Sequence, residues 1–300
     1  MSFKEYPHIE NTYQSKAIEW LLRNRPEAKE LEWVVEEKIN GSNMQINIDP
    51  QGKITCGSRN RAINWSDDHC GFMKWVDEHL IKKLGFLLLA AMSTKKSFRL
   101  YGEYFGPKIC KGVDYGKEKR FIVFGIMVND SFIPPIEVYE FMERAKMEEY
   151  CIKPKQVCNS LQEALDYNPR FISEYSPSKD LAEGVVIKPY KTVILDQHGL
   201  PIYYKIKIDE FKEKQRAPSE KIPNDPAKGI LLSYWNENRL NSCYSKLGKI
   251  QSKADIGKYM KVIIDDICAD WQKENGDLEL DSKEKSLIQP QIAKRLLQDL

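Results

Sequence analysis

The sequence predicts an α+β protein: a mixed domain over residues 1–215, a linker at 216–224 and a small all-α domain at 225–300. Three observations predict it. Short apolar or alternating runs, bounded by turn residues, are interleaved with helical stripes as far as residue 208. A stretch with three prolines and many charges follows at 211–228. Beyond it the apolar residues recur at three-to-four spacing only.

In chain order, a helix is expected from Tyr13 to Arg25, with Ile18, Leu21 and Leu22 on one face and Pro26 after it. Trp33-Val34-Val35 reads as a buried strand that runs into Lys38 and a tight turn at Gly41. The next run alternates, with Met44, Ile46 and Ile48 on one face and Gln45 and Asn47 on the other. A third strand covers Lys53 to Gly57, followed by the polar loop Ser58-Arg59-Asn60-Arg61. A single helix is expected over 70–92, on the spacing of Phe72, Trp75, Val76, Leu80 and Leu84. Strands follow at Phe98–Phe105, which carries Glu103, and at Lys119–Val128, then a helix at 137–148 and a mixed stretch at 150–170. Two late strands are Ala182 to Pro189 and Ile202 to Ile208. On the latter, Lys205 and Lys207 share one face and repel each other, a repulsion that a bound polyanion relieves. The C-terminal helices are expected at 227–246, 254–271 and 282–299.

Charged residues make up 30% of the chain and apolar ones 42%, which describes a soluble globular protein. A net charge of only +2 does not itself demand nucleic acid, so any basic surface must come from local clustering. Seven scattered cysteines, an odd count without a Cys-x-x-Cys pair, point to a reducing intracellular compartment and no structural zinc site. The apolar run Phe86 to Met92 is too short to span a bilayer, and the opening Met-Ser-Phe-Lys-Glu-Tyr-Pro does not read as a signal peptide.

The chemistry concentrates at Lys38. A charged, unpaired lysine at the end of a buried strand is costly, and a neutral amine is a nucleophile. Lys-x-x-Gly occurs three times, at Lys38, Lys82 and Lys273, but only Lys38 has strands on both sides. A surface lysine beside a hairpin is the alternative reading. Glu103 lies in an apolar strand, where an unpaired carboxylate is expensive, so a hydroxyl or a cation is expected beside it. Gly112-x-x-x-Gly116-Lys117 is one residue short of a P-loop, and Glu118 stands where that motif has Ser or Thr. His69 next to Cys70 has nothing nearby to complete a thiol site, and the stripe at 256–267 reads as core.

Several segments occur in a telling order: Glu37-Lys38-Ile39-Asn40-Gly41-Ser42-Asn43, Tyr101-Gly102-Glu103 with Gly106-Pro107, Val113-Asp114-Tyr115-Gly116, Glu183-Gly184-Val185-Val186-Ile187-Lys188-Pro189, and Lys205-Ile206-Lys207. This order resembles the covalent nucleotidyltransferases: ATP-dependent DNA ligases, RNA ligases and capping enzymes. The resemblance is closest to the double-strand-type RNA ligases of phages and the RNA-editing ligases of trypanosomes. It implies an adenylyltransferase domain of antiparallel sheets flanked by helices, with ATP and Mg2+ or Mn2+ as cofactors. The implied partners are RNA ends, a nicked duplex with a 3′-hydroxyl and a 5′-phosphate. A monomer is expected, off the membrane and in the cytoplasm, or the host cytoplasm for a viral protein.

By that resemblance Lys38 attacks the α-phosphate of ATP, expels pyrophosphate and becomes lysyl-AMP. Lys205 and Lys207 hold the α-phosphate, and their positive charge favours the neutral amine. Glu103 and Glu183 suit ribose hydroxyls or, for Glu183, a metal reached through water. Phe124 stacks on adenine, backbone groups near Glu37 read its edge, and Lys188 reaches base or phosphate. Arg59 and Asn43 face the sugar and the RNA end. AMP then passes to an RNA 5′-phosphate, and a 3′-hydroxyl displaces it.

Two positions depart from the closest subgroup. Asn40 stands where histidine is usual and cannot exchange a proton near neutral pH, although it can still hydrogen-bond. Gly125 stands where aspartate follows the stacking phenylalanine. DNA ligases and capping enzymes normally carry an OB-fold after the Lys-x-Lys strand, whereas 225–300 is helical, which favours the RNA ligases. A non-catalytic, nucleic-acid-end-binding homologue is the remaining alternative, and intact Lys38, Glu183, Lys205 and Lys207 speak against it.

Overall fold

The computed structural model describes residues 3–12, 15–212, 231–275 and 280–300. The chain divides into two compact units, Met1–Ile208 and Asp209–Leu300. The expected linker, 216–224, lies outside the described residues.

The first unit holds two sheets. The first has the spatial order β1 (Glu10–Asn11), β11 (Tyr204–Lys207), β10 (Gly184–Pro189), β2 (Trp33–Glu37), β9 (Pro154–Cys158). The second runs β5 (Ala62–Ile63), β4 (Ile54–Ser58), β3 (Ser42–Ile48), β6 (Phe98–Phe105), β7 (Arg120–Val128), β8 (Ser131–Phe132). All named pairs are antiparallel except β1 with β11. The sheets are antiparallel as expected apart from this edge pair, where the chain's opening returns to a strand formed about 190 residues later and so long a connection leaves direction unconstrained.

Both sheets are two-faced, as alternation requires. On β3, Met44, Ile46 and Ile48 enter the core with Leu100 of β6 and Val123 and Ile126 of β7. Helices α2 (Phe72–Trp75), α3 (Gly85–Thr94) and α4 (Pro135–Arg144) contribute to this core. Their opposite numbers on β3, namely Asn43, Gln45 and Asn47, pair with Glu103, Tyr101 and Arg99 on the other face. In the first sheet Trp33, Val35, Val185, Ile187 and Tyr204 pack with α1 (Ser15–Asn24) and α5 (Leu161–Leu165). That leaves Glu36, Lys188, Lys205 and Lys207 to the face that meets the second sheet.

The single helix expected over 70–92 is broken. Cys70 takes a positive φ of 54°, a wide turn closes from Ile81 N to Val76 O, and α3 begins only at Gly85. Apolar spacing alone carries no information about such breaks.

The second unit has its own core, built by α6 (Glu237–Leu247), α7 (Ile256–Asn275) and α8 (Ser282–Leu297). One continuous helix from 227 to 246 was expected. Residues 227–230 lie outside the described residues, and α6 starts at Glu237, where the Asn236 side chain accepts from Arg239 N and caps it. The six basic residues between 239 and 261, Arg239, Lys246, Lys249, Lys253, Lys258 and Lys261, suggest in the sequence one face for phosphate contacts. Arg239 does not fit that reading: it is 1% exposed and bonded to Asp266 and Asp270 at 2.8 and 2.7 Å, and Lys246 reaches the same Asp266 at 3.0 Å. Helical return brings Asp266 back onto α6, so sequence distance did not separate the charges. Among the described residues no helix is long and apolar enough to cross a membrane.

Candidate active site

Strand β2 is buried along its whole length and delivers Lys38 at its end, where the Lys38 amide donates to Gly184 O at 2.9 Å. The Lys38 ammonium donates to Glu183 Oε2 at 2.6 Å. The second carboxylate oxygen of Glu183 accepts from Lys207 at 2.8 Å. Regular alternation would send Glu183 to the same face as Val185, away from both lysines. Gly184 redirects it: its φ is +147°, and a Cβ there would lie 2.0 Å from Ile206 O. Burial would raise the Glu183 carboxyl, but Lys207 and Lys38 outweigh it and hold the group below its ordinary value. A protein carboxylate thus offsets the charge of Lys207 on β11. Lys205 sits opposite Val186 of β10, on the same face.

The end of the second sheet supplies the facing groups. Glu103 pairs with Asn43 across β6 and β3. Burial pushes its carboxyl up to about 7, against the lowering influence of Lys38, Arg59 and the Gly41 amide. Glu103 thus lies within the electrostatic influence of Lys38 and Arg59. Asn43 Oδ1 is buried and has no hydrogen-bond partner, the kind of acceptor a ligand hydroxyl would satisfy. Of the two guanidinium groups in the polar loop, Arg61 is held by Asp67, and Arg59 is the one that influences Glu103. Gly41 is small because Tyr104 O and Glu103 Cγ would lie 2.5 and 2.8 Å from a Cβ, and its φ is not positive. Close approach of β6, and not turn freedom, explains it.

A folded-state value near 7 against 4.5 means that native Glu103 keeps a proton the unfolded chain has released between those pH values. Stability from this group is present below pH 4.5 and is lost as pH rises through 7, by an amount on the order of 3 kcal/mol. Glu103→Gln removes that slope. Thermal melts of the ATP-free protein at pH 5 and pH 8 should show a smaller decline for the variant; parallel declines would contradict this account.

Deeper between the sheets, Lys188 is 2% exposed. Its ammonium contacts Glu36 Oε2 at 2.6 Å, donates to Phe124 O at 2.7 Å, and lies 5.4 Å from the Phe124 ring centre. Tyr139 donates to Glu36 Oε1 at 2.6 Å. Lys188 was expected to reach base or phosphate; here its charge is matched by Glu36, behind Phe124. Sequence reasoning missed Glu36, although a carboxylate directly after Trp33-Val34-Val35 carried the same signal as Glu103. It also missed Tyr6, whose ring meets Phe124 edge-on at 4.8 Å and stacks on Tyr203 at 5.9 Å. A Cβ on Gly125 would lie 2.8 Å from Tyr6 Cε2. Tyr6 therefore fills the space where a side chain after Phe124 would go, which accounts for the glycine. The Glu37 side chain turns to the opposite face, where it accepts from Ser173 Oγ and Glu174 N at 2.5 and 3.0 Å. Only its backbone is left toward the cleft. Of the other Lys-x-x-Gly lysines, Lys82 is exposed in the turn before α3, and Lys273 lies on α7.

The structure thus brings together Lys38, Glu183, Lys207 and Glu103, with Asn43 and Arg59 at the rim and Phe124 and Lys188 deeper. The RNA ligase family model matches residues 31–207, more than half of the chain and the span that holds every one of these groups. The chain belongs to the RNA ligase family. A second model, T4 RNA ligase 2 C-terminal, matches residues 219–298. Among solved structures, an apo point mutant of the Naegleria gruberi RNA ligase is similar at 17% identity and TM-score 0.52, covering 69% of this chain and 56% of that one. A mutant of that ligase with ATP and Mn matches at 16% identity and TM-score 0.52, covering 70% and 57%. At such identity the likeness is one of fold. This family member spans under three-fifths of the length of those structures.

Proposed function

We propose that this RNA ligase family member seals RNA: it joins a 3′-hydroxyl to a 5′-phosphate at a nick, using ATP, through lysyl-AMP and a 5′-5′ RNA-adenylate. The observation that carries the reading is the Lys38–Glu183–Lys207 cluster at the end of a buried strand. In the ATP-free protein Glu183 fixes the direction of the Lys38 amine. With its carboxyl held low, Glu183 is a weak base, so its part is orientation and charge balance rather than proton removal. In the reaction Lys38 Nζ, neutral after releasing one proton to water, bonds to the α-phosphorus as the bond to the pyrophosphate oxygen breaks. The second proton that the nitrogen must shed also passes to water. Lys205 and Lys207 stabilise the charge that builds on the α-phosphate. Asn43 and Glu103 accept from ribose hydroxyls, and Phe124 stacks on adenine with Lys188 and Tyr6 behind it.

The residues fit a divalent cation held mainly by the triphosphate. Among the described residues no group of three or more His, Cys, Asp or Glu side chains could hold a metal ion. Magnesium characteristically takes one or two carboxylates, water and substrate phosphates, and Glu183, with Glu103 nearby, would supply them through water. When bound, such a cation neutralises triphosphate charge. All seven cysteines are free thiols, which suits a reducing compartment. The solved ligase with ATP and Mn supports the same choice of nucleotide and metal type.

The test is to supply ATP, magnesium and a nicked RNA duplex, and to look for RNA-adenylate followed by sealed product. Absence of both overturns the proposal. The division of labour is testable too. Core clusters of the first unit end at Tyr204, and that of the second starts at Leu231, so each unit buries its own apolar core. A fragment ending near Gln215, a position outside the described residues, is expected to form lysyl-AMP yet to fail when AMP must pass to RNA. Sealing of the ATP-dependent substrate by the fragment at the full-length rate would show that residues 225–300 do not engage RNA. An unfolded fragment by circular dichroism would make that region a structural cap.

A further inference from the structure

The residues that flank Lys38 are bonded to two loops, and those loops are bonded to each other. After the lysine, the Asn40 amide donates to Tyr115 Oη at 2.8 Å and its side-chain Nδ2 donates to Lys111 O at 2.7 Å. Cys110 Sγ donates to Gly41 O at 3.2 Å. Before the lysine, Glu37 accepts from Ser173 Oγ and Glu174 N. The two loops then join: Asp114 N donates to Asp180 Oδ2 at 2.7 Å, and Ser178 Oγ donates to Asp114 Oδ2 at 2.5 Å. Edge-on rings bind the same loops to β6, Tyr115 at 4.7 Å and Tyr175 at 5.5 Å from Phe105. The second loop runs straight into Glu183.

From this closed ring we infer that loops 107–116 and 173–182 form a clasp around the nucleophile, and that Asn40 is a positioning residue acting through it. The inference rests on the reading of Lys38 as the nucleophile. It assigns a purpose to asparagine at position 40. What the clasp needs there is an N–H aimed at the Lys111 carbonyl, and an amide supplies one at any pH. A neutral histidine also carries an N–H. An ionised aspartate has none, and would set a carboxylate against the Lys111 carbonyl oxygen. Because Lys38 and Glu183 both hang from the ring, opening it should misdirect the attack more than it weakens ATP binding.

The experiment uses full-length protein and three variants: Asn40→Ala, Asp180→Ala and the double. Single-turnover lysyl-AMP formation at saturating ATP should slow by about 10- to 100-fold in each single variant, with half-saturating ATP changed by less than about threefold. The double variant should be slower than the worse single by less than the product of the two effects, since each substitution removes one bond of the same ring. Asn40→His should recover much of the rate, and Asn40→Asp should not. Hydrogen exchange of the ATP-free protein gives a readout without nucleotide: Asn40→Ala should speed exchange not only at 110–116 but also at 174–182. Multiplying effects in the double variant, a fast Asn40→Asp, or unchanged exchange at 174–182 would each overturn the clasp. Wild-type protein that makes no adduct, with exchange at 174–182 still faster in Asn40→Ala, would instead overturn the nucleophile assignment and leave the clasp standing.

Discussion

Lys38→Ala is expected to leave no covalent AMP on the protein. With α-labelled ATP and magnesium, the wild-type chain should carry label after denaturation, released by acid and stable to alkali, as a phosphoramide requires. The structure sharpens the controls. Lys82 is exposed in the turn before α3, and Lys273 lies in the second unit, so alanine at either should leave labelling intact. The Lys38 ammonium lies 2.6 Å from the buried Glu183 carboxylate. Its removal deletes the attacking atom. Label that survives in Lys38→Ala would refute the assignment.

Lys207→Ala and Lys205→Ala are expected to lower the rate of lysyl-AMP formation by roughly 30- to 1,000-fold, about 2–4 kcal/mol of transition-state stabilisation each. These are preorganised cations facing the same cleft, and such groups act most strongly where charge develops. Lys207→Ala removes one of the two ammonium partners of Glu183 and leaves Lys38 as the other, so the carboxylate remains paired and the fold should survive. Circular dichroism should therefore match wild type while the rate falls. Wild-type rates in both single variants would rule out the phosphate role.

Much of this was legible in the sequence because its cause is local. Alternation over Met44 to Ile48 fixed which residues face the core, for side chains on a strand point to opposite faces in turn. A lysine after Trp33-Val34-Val35 and a carboxylate inside Tyr101-Gly102-Glu103 were conspicuous because isolated charge in apolar surroundings needs a partner. What no local rule could supply was which partner each found. Glu183 reaches Lys38 from 145 positions away, and does so because Gly184 breaks the alternation. Lys188 meets Glu36, and Tyr6 takes the space left by Gly125, since strands distant in sequence are brought to one cleft. Arg239 precedes a lysine-rich stretch in the sequence, and helix packing turned it inward to Asp266 and Asp270. The sequence determined the residue types and faces of this protein, because these follow from backbone periodicity and solvation. Only the tertiary structure decided the pairings, because a charge is satisfied by whichever opposite group the fold carries to within about 3 Å.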